Sequence, residues 1–153
     1  MIHHRKDIIQ RTIREYKRLD QIIAHLTKKD WMRLVPRPEA KDPWTIKDTV
    51  AHITYFKADT IRSIHRKPKS SKLQNLNISA ENRIIYLQWR NRTPQEVLAW
   101  HRQVHNEVLI ALKEVSDDWY SSRQRSKDWP FDLDGHSAFH RINDIEKVLK
   151  QNY

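Results

Sequence analysis

Apolar residues recur at three- and four-residue intervals through most of this chain, the spacing of one face of a helix. The first such stretch runs from about Lys6 to Leu26, with Ile9, Ile13, Tyr16, Leu19, Ile23 and Leu26 on one stripe. Pro36, Pro38 and Pro43 then break the pattern, since proline lacks the amide proton and clashes with the preceding turn. A second helix begins near Thr45 and carries Val50, Ile53, Ile61 and Ile64, until Pro68 and KSSKLQNLN end it. A shorter helix fits Ser79 to Arg90. The next has the clearest start: Thr93 caps it, Pro94 takes the first turn, and Glu96 stands where a capping box wants an acid. Val97, Leu98, Val104, Val108, Leu109, Leu112 and Val115 follow on its apolar side. SDDWYSSRQRSKDWPFDLD reads as a loop. The last helix spans about Asp134 to Gln151, with Asp134 as N-cap and Phe139, Ile142, Ile145 and Leu149 on its buried stripe. Four long amphipathic helices and one short extra helix predict an all-α four-helix bundle, a single domain over residues 1–153.

Composition narrows the chemistry. Gly135 is the sole glycine, so phosphate cradles such as GxGxxG or the P-loop cannot be built, and helices are favoured over glycine-punctuated sheets. The chain has no cysteine, which excludes disulfides, thiolate nucleophiles and Cys-based zinc sites. No apolar run approaches the roughly 18 residues needed to cross a membrane. The charged start MIHHRKDIIQ lacks a secretory apolar region, and a cytoplasmic protein is expected. The 29 Lys+Arg against 19 Asp+Glu leave a net charge of +10. Basic residues gather between Arg62 and Lys72, and again at Arg123, Arg125 and Lys127. Such clusters suit an anionic partner, or serve only as a solvated, solubilising surface.

Candidate chemistry rests on histidine. His136 and His140 lie one helical turn apart, where two imidazoles can close on one ion, and His52 on another helix could supply a third ligand. Asp48, one turn before His52, and Asp144, one turn after His140, are candidates to hydrogen-bond a ligating ring. His101 and His105 have the same spacing, so spacing cannot choose between the two pairs. Neither pair contains the glutamate of an HExxH protease site. Of the six tryptophans, Trp44, Trp89 and Trp129 precede or end helices and are candidate pocket walls.

The segment DPWTIKDTVAHITYFKADTI resembles the second-helix signature of the DinB/YfiT-like superfamily. NRTPQEVLAWHRQVHNEVLIALKEVSDDW is similar to the third helix of the branch containing the DfsB and colibactin self-protection proteins. GHSAFHRINDIEKVL resembles the superfamily's closing His-x-x-x-His helix, and the likeness runs from about Ile13 to Leu149. This resemblance implies a homodimeric DinB-like bundle with a divalent metal, zinc or nickel, held by three histidines. Matched by position, these are His52, His136 and His140, and His105 falls beside the core as a pocket-lining residue. It further implies a metal-dependent enzyme acting on a small electrophilic molecule, by hydrolysis or thiol transfer. The alternative is a non-enzymatic basic protein that binds nucleic acid or another anion.

Overall fold

The computed structural model of the protein describes residues 2–37, 42–132 and 138–151, the side chains of residues 138–140 excepted. Seven helices are seen among them: α1 (Arg5–Ile23), α2 (Lys28–Trp31), α3 (Ile46–Ile64), α4 (Ile78–Trp89), α5 (Pro94–Glu114), α6 (Asp117–Ser121) and α7 (Ala138–Lys150). No strand occurs among the described residues, so the all-α expectation holds. The four long helices close a ring, in which α1 and α3 each pack against both α5 and α7, while α4 lies on α3. No helix among the described residues is long and apolar enough to cross a membrane.

Local chemistry explains where the helices begin. Thr45 caps α3 in a full capping box: its hydroxyl accepts from the Asp48 amide, and Asp48 accepts from the Thr45 amide. Thr93 likewise caps α5 by accepting from the Glu96 amide, with Pro94 in the first turn. The Glu96 carboxylate instead takes the Thr93 hydroxyl at 3.4 Å and Arg92 at 3.1 Å. Asn77 caps α4. The short helices α2 and α6 fall where the sequence reads as loop, because four or five residues are too few to show a period. The expected cap Asp134 lies outside the described residues.

Lys47 fixes the start of α3 to the α4–α5 connection. Its buried ammonium donates to the carbonyls of Trp89 (3.1 Å), Arg90 (2.5 Å) and Arg92 (2.8 Å). A cation there meets the partial negative charge of the α4 C-terminus.

The core consists of two apolar clusters. One joins Leu19, Ile23, Trp31, Ile46, Val50, Ile53, Val97, Ile142, Ile145 and Val148. The other joins Ile8, Val108, Leu112, Trp119, Tyr120 and Phe131. Between them, α1, α3 and α5 each turn polar on their buried faces, at Thr12 and Glu15, Thr54 and Lys57, and His101 and His105. This polar layer corrects the stripe read for α1. The buried face is Ile8, Thr12, Glu15, Leu19 and Ile23, and Ile9, Ile13 and Tyr16 sit at its border.

Candidate metal centre and the buried polar layer

His52 sits in the middle of α3, 8% exposed, with Trp44 and Phe56 as its walls. Both ring centroids lie 4.8 Å from the imidazole, Trp44 tilted against it and Phe56 meeting it edge-on. Trp44 is held by backbone pairing between the segments before α3: Val35 N–H donates to Trp44 O at 2.8 Å, and Ile46 N–H to Arg33 O at 2.9 Å. The Arg37 guanidinium stacks on the Trp44 ring, 3.3 Å from its centroid. Burial drives the His52 pKa down to about 3, helped by the charges of Arg141 and Arg37. The ring is therefore neutral at pH 7, and its Nδ1 has no hydrogen-bond partner among the described residues. A neutral imidazole with an unengaged nitrogen is the form that ligates a metal.

His136 lies outside the described residues. His140 is placed only by its backbone, in the first turn of α7, and α7 packs against α3. Among the described side chains, no group of three or more His, Cys, Asp or Glu is arranged to hold a metal. Asp48 has another occupation. One of its oxygens completes the Thr45 cap, and the other lies 3.5 Å from the Lys47 ammonium. Asp144 stands 3.5 Å from Arg141, one turn back on α7. Trp89 stacks flat on Trp100 at 3.9 Å, packed against the first apolar cluster.

His101 and His105 belong to the polar layer. Lys57 and Glu15 are each 1% exposed and form an ion pair at 3.3 Å in its centre. Trp129 Nε1–H donates to both Glu15 oxygens, at 3.0 and 3.3 Å, and its ring lies 5.5 Å from the Lys57 ammonium. Tyr16 stacks on His105, with centroids 3.6 Å apart, and reaches His101 at 5.1 Å. Thr54 decides the tautomer of His101. Its hydroxyl donates to Val50 O at 2.8 Å, so its single proton is spent, and it must accept from His101 Nδ1–H at 3.2 Å. Burial and the Lys57 charge press the pKa of His101 down to about 2 and that of His105 to about 4. Neutral His101 thus turns a bare Nε2 acceptor into the interior, unpartnered among the described residues.

The ammonium of Lys57 acts on both His101 and His105, and Glu15 pairs with it. Glu15 and Lys57 are absent from the sequence reading. Their signal is a gap: Lys57 falls midway between Ile53 and Ile61 on the α3 stripe, and Glu15 one turn before Leu19 on α1.

No family model matches this sequence, and no curated protein matches it. Among solved structures, an uncharacterised protein from Escherichia coli UTI89 superposes with a TM-score of 0.73 at 11% identity, over 95% of this chain and 92% of that one. At that identity the likeness speaks for the fold alone.

Proposed function

We propose that the protein is a metal-dependent enzyme of the DinB-like type, acting on a small electrophilic molecule by hydrolysis or thiol transfer. The observation that carries this reading is the neutral, aromatic-walled His52 with an unengaged Nδ1, on a helix packed against the one that bears His140. The sequence resemblance adds His136 and His140 as the further ligands. A divalent ion held there, zinc or nickel, would lower the pKa of water or a thiol and polarise the substrate. The chain's own contribution is to keep the imidazole neutral, to wall it with Trp44 and Phe56, and to bring the positive charge of Arg37 and Arg141 to its edge. The chain works as a homodimer in this reading, which sedimentation checks directly.

Elemental analysis of purified protein tests the site. Wild type and His101→Ala retain about one ion per chain, whereas His52→Ala and His140→Ala lose it. Equal metal content in wild type and His140→Ala overturns the assignment. Activity is sought on epoxides, cyclopropanes and thiol acceptors, and turnover that survives chelation counts against the reading. The competing role as a nucleic-acid binder draws on the Arg62–Lys72 cluster, but Arg62 is engaged by Asp59 and Lys69 by Glu81.

A further inference from the structure

A cavity of about 260 Å³ lies among the second half of α3, the start of α4 and the segment from Trp119 to Phe131. Its walls include four aromatic side chains, Phe56, Trp119, Trp129 and Phe131. Most of its charges are already spent. Arg62 bonds Asp59 at 2.7 Å, and Lys69 bonds Glu81 at 3.0 Å, where Tyr55 also donates. These two acids are thereby neutralised by cations of the same wall.

Two side chains keep donor capacity, Arg123 after giving one N–H to Ser122 Oγ at 3.1 Å. Trp119 is 8% exposed, and its indole N–H is buried with no acceptor among the described residues. A buried donor left unmet costs about 1–3 kcal/mol, so such a group calls for an acceptor. The Arg123 guanidinium lies 4.8 Å from the centroid of that same Trp119 and makes no ion pair among the described residues. The wall's remaining acid, Asp128, is exposed at the rim. The unmet capacity of the cavity therefore consists of donors, one of them charged, beside flat apolar surfaces.

We propose that this cavity binds a small flat aromatic carboxylate, its ring against Phe56, Trp129 and Phe131 and its carboxylate on the Trp119 N–H and Arg123. A guanidinium matches the two oxygens of a carboxylate, and charge-assisted hydrogen bonds are the strong ones. The proposal needs no metal, although Phe56 stands against both His52 and this cavity.

The test titrates 2-naphthoate into the full chain in the presence of a chelator, following the indole N–H resonances by NMR. The expected result is saturable movement of the Trp119 resonance. Binding should fall at least tenfold for 2-naphthamide, which keeps the shape and loses the charge. It should also fall at least tenfold in Arg123→Gln, a half-buried position whose change leaves the circular dichroism intact. Trp119→Phe, which keeps the ring and removes the donor, weakens binding in the same direction. The proposal is overturned if naphthoate does not bind, or binds without moving Trp119. It is equally overturned if Arg123→Gln binds as wild type does, or if 2-naphthylmethylamine binds more tightly than the acid through Asp128. Because metal is absent throughout, the outcome stands apart from the metal analysis of His52.

Discussion

His52 and His101 are both neutral, both buried, and both carried by central helices of one bundle, yet their surroundings differ. His52 meets two aromatic walls, and the charges near it come from Arg37 and Arg141 at its edge. His101 donates to Thr54 and lies in the field of Lys57, itself fixed by Glu15. Both environments contain cations, two arginines near His52 and one lysine near His101 that is paired with an acid. The difference lies in the free ring nitrogen: Nδ1 of His52 has no hydrogen-bond partner among the described residues, whereas Nδ1 of His101 is held by Thr54. Histidine spacing alone says nothing of this, and the surroundings of each ring do.

The strongest way to break this contrast is to remove Glu15. Glu15→Ala strands the Lys57 ammonium in the interior, and losing one partner of a buried pair costs about 3–5 kcal/mol. Urea denaturation should show that loss with metal content unchanged, while Glu15→Leu combined with Lys57→Met recovers all but about 1–3 kcal/mol, the cost of the Trp129 N–H left without its acceptor. A loss below about 1 kcal/mol for Glu15→Ala would mean that water reaches Lys57 and that the layer is not sealed.

Acid sharpens the same contrast. The folded pKa values of His52, His101 and His105 are all depressed, to about 3, 2 and 4. The unfolded chain therefore takes up protons near pH 6.5 that the folded chain refuses, and stability falls as pH drops below about 6.5 toward those folded values. His52 and His101, the more deeply buried two, each contribute on the order of 2 kcal/mol of loss between pH 7 and pH 5, from about 1.4 kcal/mol per pKa unit, and His105 contributes less. His101→Gln should flatten the stability–pH curve by that amount. A curve that is already flat in wild type would show the histidines to be solvated.

The smallest effect concerns the tautomer. Thr54→Val removes the acceptor of His101 Nδ1–H and should cost about 1–2 kcal/mol. It should also move the His101 ring ¹⁵N signals away from the Nδ1–H pattern, and unchanged signals would refute the assignment.

Much of the fold was legible in the sequence because capping and periodicity are local. Thr93 with Pro94 located α5 to the residue, and the Val50, Ile53, Ile61, Ile64 stripe located α3. The face of α1 was misread for a physical reason. Hydrophobic periodicity assumes apolar residues inside, and α1 buries Thr12 and Glu15, so Ile9, Ile13 and Tyr16 made the better-looking stripe. The candidate site divides likewise. Trp44 beside His52 follows from short-range pairing around Pro36 and Pro43. The Glu15–Lys57 pair joins residues 42 positions apart in sequence, a tertiary contact that no local pattern encodes. His136, and the side chain of His140, lie outside the described residues.

Trp129 belongs to two structures at once. Its ring is a wall of the cavity, its indole N–H is spent on Glu15, and its carbonyl accepts from Thr60 on α3. The cavity cannot widen at that wall without lengthening a bond to a buried carboxylate. Its tolerance for ligand size is therefore set by the stability of the protein interior, and a bulkier guest must be admitted at another wall, such as that of the exposed Ile78.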